Sequence, residues 1–198
     1  MKYKFLLINL ILPVIFIISC SPKPDDVLTK YIDAHNRHDI KNEINYYSND
    51  ITFEAVDVWI KKGKNEMRNL AEYDSVLNSE LRIADVRVNG DTIHCKLIEK
   101  NDWFKTINID SLIHDPVMIV IKNNLINYIR AELSAGSYNI LSGRLDSLIR
   151  WMTVEKPDEL QTLIPNGEFL YSTVSAKKWL NILKEWKEKE IYSKQNSM

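Results

Sequence analysis

The chain has 198 residues, with 26 lysines and arginines against 27 aspartates and glutamates, and a net charge of −1 with histidine neutral. That balance leaves no basic surplus that would point to nucleic acid. About 175 residues remain once a leader is set aside, one domain's length; such a chain buries roughly two thirds of its unfolded surface and does not depend on disulfide staples.

Lys2 and Lys4 precede a charge-free, largely apolar run from Phe5 to Ile18, closed by Ser19-Cys20. A positive start, a moderate apolar stretch and a small residue at the cut have the pattern of an export signal. The run is shorter than the roughly 20 residues that span a bilayer core. Ile17-Ile18-Ser19-Cys20 resembles the bacterial lipobox. That resemblance implies that residues 1–19 are removed, that Cys20 is lipidated, and that the protein sits in the cell envelope, lipid-anchored to a membrane and facing the periplasm or the exterior. Loss of Lys2 and Lys4 takes the net charge from −1 to −3. Residues 20–26, with Ser21-Pro22-Lys23-Pro24-Asp25-Asp26, read as a polar tether. With Cys20 carrying lipid, Cys95 is the remaining thiol, and no intrachain disulfide can form. Its alternating setting, Thr92 to Leu97, predicts a small buried hydrophobe on a strand and not a nucleophile.

From Asp26 to Tyr47 the pattern is helical, with Leu28, Tyr31, Ile32 and His35 in one 100° sector. Ile51 to Val56 alternates as a strand. A helix is predicted from Lys64 to Leu77 with Met67, Leu70, Tyr73 and Leu77 as its stripe. Leu81–Val88 and Thr92–Lys100 form a predicted hairpin, turned by Asn89-Gly90 as a type I′ centre, with a bulge near Ala84-Asp85. A helical turn is expected at Ile109 to Ile113. Val117–Lys122 and Leu125–Leu133 form a second hairpin through Asn123-Asn124. Beyond Gly136, Tyr138, Leu141, Leu145, Leu148 and Met152 make a helical stripe, and Pro157 opens a short helix. A last helix, capped by Ser175, buries Trp179, Ile182, Leu183 and Trp186, with Glu185 and Lys189 paired on its other side.

Two helices around a strand, followed by antiparallel hairpins, indicate an α+β fold with helices on one face of a curved sheet. Ala34-His35-Asn36-Arg37-His38-Asp39-Ile40 is similar to the A-x-N-x-G-D-hydrophobic motif of the nuclear transport factor 2-like (SnoaL-like) superfamily, with His38 in place of the glycine. Asn49 to Glu54, Gly63 to Glu66, Gly90 to Ile93 and Lys122 to Ile126 resemble later parts of that fold. The resemblance implies a cone-shaped domain over residues 27–134 with a central cavity. Residues 135–190 are then expected as a helical cover on the same domain, and 191–198 as a polar tail. The resemblance implies no one reaction, because this scaffold hosts isomerases, dehydratases, hydrolases and non-enzymes.

Strand phase puts Phe53, Ala55, Asp57 and Trp59 on one face, and the resemblance turns the position of His35 toward the cavity. Tyr31, His35, Asp57 and Trp59 are therefore pocket candidates, with Trp103 at the mouth; Glu99 to Trp103 reads as a rim. His35 beside Asp57 could act as a general base, against the simpler reading of a hydrogen-bonded core histidine. His35 and His38 lack a companion cluster, so neither a metal nor another cofactor is expected. The main reading is a non-catalytic lipoprotein that binds a small hydrophobic or mixed-polarity molecule or an envelope protein. The alternatives are a small-molecule enzyme using His35 and Asp57, and an assembly subunit, including a homodimer, that presents an apolar sheet face.

Overall fold

A computed structural model describes residues 23–195. The leader and Cys20, with the expected lipid attachment, lie outside the described residues. Helix α1, Pro24–Asn36, has proline in its first turn and Asp25 and Asp26 at the positive end of its dipole. Pro24 to Asp26 thus belong to the helix and not to the tether expected through residue 26. The helical pattern does not run unbroken to Tyr47 either. His38, which stands where the motif has glycine, takes φ 54°, in the left-handed region that favours glycine, and the chain turns there. Asp39 then caps α2, Ile40–Asn45, by accepting from the Asn42 amide at 3.3 Å.

Strand β1 spans Tyr47–Ala55, starting well before Ile51, and pairs antiparallel with β2, Trp59–Lys62, a strand that sequence pattern did not separate from its loop. Gly63, at φ 84°, joins β2 to α3, Lys64–Val76. Strands β3, Glu80–Asn89, and β4, Thr92–Lys100, form the first hairpin. Asn89 pairs with Thr92, so the turn centre is Gly90-Asp91, with positive φ at Gly90 alone. This is the type II′ pattern in place of the expected I′. The register shifts between Ala84 and Arg87, where Asp85 sits at φ 55°.

Helix α4 falls at Asp102–Thr106, not at Ile109 to Ile113, because Asn101 accepts from the Phe104 amide at 2.8 Å and starts the helix earlier. Strands β5, Leu112–Lys122, and β6, Leu125–Leu133, turn through Asn123 and Asn124, both at positive φ. Then follow α5, Ala135–Glu155, α6, Pro157–Leu163, a 3₁₀ turn at Pro165–Gly167, and α7, Thr173–Gln195. Ser172 caps α7, its Oγ accepting from the Ser175 amide at 3.1 Å, while Ser175 lies inside the helix and donates back to Leu170 O. Residues 191–195 of the expected polar tail continue this helix.

The strand order is β2-β1-β6-β5-β4-β3, with β1 parallel to β6 and the other neighbours antiparallel. Register shifts in four of the pairings bend this mixed sheet into a cup. Ile93 and Cys95, Val117 and Ile119, and Ile129 and Ala131 alternate inward and meet Leu28, Tyr31 and Ile32 of α1 and Met67 and Leu70 of α3. A second cluster joins Leu148 and Met152 of α5 to Trp179, Ile182, Leu183 and Trp186 of α7, over Trp103 and Ile107. Glu185 and Lys189 do not pair with each other. They reach across to Lys156 at 2.8 Å and Glu155 at 2.7 Å, tying α7 to the α5–α6 junction.

Candidate functional site

The cupped sheet, α1 and α3 surround a partly open cavity of about 280 Å³. Its wall is mostly apolar, and Leu141, Leu145, Phe169 and Tyr171 of the C-terminal segment complete it. Tyr31, His35, Trp59 and Trp103 all line it; Asp57 does not. The strand phase that suggested Asp57 ends at Ala55. Val56, Asp57 and Val58 form a turn closed by Val58 N donating to Ala55 O at 3.0 Å, and Asp57 is exposed at φ 60°. An alternating pattern cannot be continued through a turn.

His35 is 3% exposed. Its Nδ1 lies 3.2 Å from Glu43 Oε1 and its Nε2 3.3 Å from Ser79 Oγ. The left-handed turn at His38 makes the first contact possible, since it folds α2 back so that buried Glu43 meets α1. Burial opposes a charge on the ring, but the Glu43 hydrogen bond and the fields of Asp74, Glu43 and Glu99 outweigh it, and the imidazole pKa is raised. With both nitrogens engaged, His35 has no free position from which to take a substrate proton. Tyr31 accepts from Tyr47 Oη at 2.8 Å, and burial first, then Glu43, holds its phenol protonated.

The acid that faces the cavity is Asp74, half-buried on α3. Desolvation, reinforced by Glu99 and Glu43 and opposed by His35, pushes its carboxyl up to about 8. Sequence reasoning missed it, although Leu70, Asp74 and Leu77 are spaced as one helical stripe and an acid on a buried stripe is a signal. Glu99 and Asn101, read as a rim, line the wall, with Asn101 Nδ2 donating to Glu99 Oε1 at 2.9 Å. His114, on the neighbouring strand, places Nε2 3.4 Å from Glu99 Oε2. Glu43, Ser79 and Tyr171 were also missed, because each reaches the site across turns or from the C-terminal segment.

Trp59 Nε1 donates to Tyr171 Oη at 2.9 Å. Burial holds the Tyr171 phenol up at about 12. Trp103 is buried with no hydrogen-bond partner for Nε1, and its ring meets that of Trp179 at 6.1 Å. Cys95 is buried in the core, and desolvation raises its thiol to about 11, which leaves it protonated. Among the described residues no group of three or more His, Cys, Asp or Glu is arranged to hold a metal ion, and no helix is long and apolar enough to cross a membrane.

No family model and no curated protein matches the chain. Solved structures do match in fold. An LEH-like epoxide hydrolase of M. tuberculosis superposes with TM-score 0.51 at 12% identity, over 64% of this chain and 94% of its own. The epoxide hydrolase/cyclase-like enzyme SalBIII of pyran ring formation in the polyether salinomycin gives 0.51 at 11%, over 58% and 92%. An NTF2-like protein of unknown function from Cytophaga hutchinsonii gives 0.50 at 10%, over 62% and 99%. The fold is therefore that of nuclear transport factor 2-like, SnoaL-like proteins, and at these identities the likeness carries the fold alone. More than a third of this chain lies outside each superposition.

Proposed function

We propose that the chain is a membrane-anchored extracytoplasmic module that binds a small molecule in its cone cavity. The observation that carries the binding reading is a partly open, largely apolar cavity whose wall brings a few polar groups together, among them Asp74, on whose carboxyl no hydrogen bond is found among the described residues. The cavity stays open although the C-terminal segment is rich in tryptophan, because Trp179 stacks on Phe169, 5.4 Å between centroids, and does not enter the lining. Anchoring rests on Lys2, Lys4 and the run that ends at Cys20. A non-catalytic role is favoured because His35 is tied at both nitrogens and Asp57 lies outside the cavity.

Mass spectrometry of molecules that co-purify with the full-length protein tests the binding reading. One compound retained near equal stoichiometry supports it, and a cavity that releases nothing and accepts nothing from a metabolite mixture refutes it. A second reading, an enzyme, is favoured by one observation: a carboxyl held at about 8 can give or take a proton near neutral pH. Conversion of the retained compound by wild type and its loss in Asp74→Asn would establish that reading over the first.

A further inference from the structure

The charged groups of the cavity are distributed unevenly. Asp74 and Glu99 both line it, and Glu43 stands behind His35. Among the described residues no lysine or arginine lines it; its basic side chains are two histidines, His35 turned to Glu43 and His114 beside Glu99. Among the described residues Asp74 has no ion pair, and His35 acts on it only through its field. Around these carboxyls the wall carries the rings of Trp59, Tyr73, Trp103 and Tyr171. The ring faces of Trp59 and Tyr171 already attract one ammonium, with Lys61 Nζ 5.8 Å and 5.0 Å from their centroids.

From this arrangement we propose that the cavity takes a small organic cation, an amine or quaternary ammonium on an apolar body, with its charge at Asp74 and Glu99 and its body against the aromatic wall. The inference rests on the binding reading above and supplies the ligand's class. A neutral ligand would leave the Asp74 carboxyl without an ionic partner, and an anion would meet Asp74 and Glu99 with no lysine or arginine in the lining to offset it. The electrostatics agree: burial is the largest cause of the raised carboxyl of Asp74 and the raised phenols of Tyr31, Tyr73 and Tyr171, and Glu99 and Glu43 add to it at Asp74 as Asp74 and Glu99 do at the three phenols, so the site disfavours any new negative charge. A bound cation reverses this at Asp74 and drives off its proton.

The groups facing Asp74 are His35 from α1, Glu43 from α2, Glu99 from β4 and the hydroxyls of Tyr31, Tyr47, Tyr73 and Tyr171. The phenols stay protonated well beyond neutral pH, and His35 gains charge on acidification, which also opposes a cation. Affinity for a cation therefore rises with pH up to about 8, by as much as about tenfold per unit.

Calorimetric titration of the full-length protein with benzyltrimethylammonium, benzyl alcohol and benzoate tests the proposal, because only the first carries a fixed positive charge. The expected result is binding of the ammonium at least about tenfold tighter than either companion, with a proton released to the buffer and affinity increasing from pH 6 to 8. Asp74→Asn should remove the charge preference and the proton release. If that variant fails to fold, Glu99→Gln should weaken the preference, and the wild-type pH series decides independently. Preferred binding of the alcohol or benzoate, or an ammonium affinity flat with pH, overturns the cation and leaves the binding reading standing. Binding of none of the three at millimolar concentration in a folded protein overturns the cation, and the co-purification experiment then judges the binding reading separately.

Discussion

His35 and Glu43, eight positions apart in the chain, meet because His38 turns it left-handed between them. Each is buried, and each is satisfied by the other. Replacing His35 with leucine leaves a buried carboxylate uncompensated, a change that typically costs 3–5 kcal/mol. Urea unfolding of His35→Leu should show a loss of about that size, and a stability equal to wild type would contradict the structural role. Asp74 is in the opposite situation, held neutral by burial and by its acidic neighbours. The folded-state pKa of both groups lies above the ordinary value, 6.5 for His35 and 3.8 for Asp74. The native state therefore holds protons that the unfolded chain gives up. That stabilisation is complete below the unfolded pKa and is lost as pH rises through the folded one. The window runs from about 4 to about 8 for Asp74 and upward from about 6.5 for His35. The melting temperature should fall between pH 5 and pH 8, by an amount that Asp74→Asn reduces, and the variant should be the more stable protein at pH 8 by on the order of 1–4 kcal/mol. A melting temperature that climbs over this range would contradict the assignment.

At the scale of elements, α7 acts as part of the core. Trp179 is fully buried, with Ile182, Leu183 and Trp186 on the same face, and the helix packs on α3 and α4. Trp179→Ala should cost about 3–5 kcal/mol. Ending the chain after Val174 should uncover the second hydrophobic cluster and lower the melting temperature sharply; unchanged melting would show α7 to be dispensable. The stripe of α7 was legible in sequence because tryptophans at helical spacing admit little else, and the two hairpins were legible from Asn-Gly and Asn-Asn turns. What sequence concealed were the positions where a turn resets the phase. Asp57 shared the parity of Phe53 and Trp59, but the turn after Ala55 ends the alternation and carries it to solvent. Glu185 and Lys189 had ideal spacing for each other, yet Lys156 and Glu155 of the adjacent helices offered closer partners. Asp74 was within reach, because its place on the stripe of α3 follows from spacing alone. Glu43 was not, because its approach to His35 depends on a left-handed backbone at His38, which a histidine does not signal.

For the whole molecule, a nuclear transport factor 2-like cone carries a C-terminal segment that supplies Leu141, Leu145, Phe169 and Tyr171 to the cavity wall and braces them with α7. A membrane anchor at Cys20 would fix this cup just outside the bilayer. Replacing Cys20 with alanine should then release the protein from the membrane fraction and abolish a lipid mass shift, since acyl chains supply about 0.8 kcal/mol per buried CH₂. Membrane partition unchanged by that substitution, with no lipid on the wild type, would contradict the anchor.

If the cavity is a binding site and not a packing gap, filling it should abolish ligand retention. Ala131 lines it from β6, and phenylalanine there would occupy the space while adding apolar contact. The most direct measurement is native mass spectrometry of wild type and Ala131→Phe purified in parallel, with circular dichroism to show that both are folded. A small molecule should be retained by wild type and missing from the variant if the cavity binds it. The same adduct in both proteins, or none in either after exposure to a metabolite extract, would contradict it.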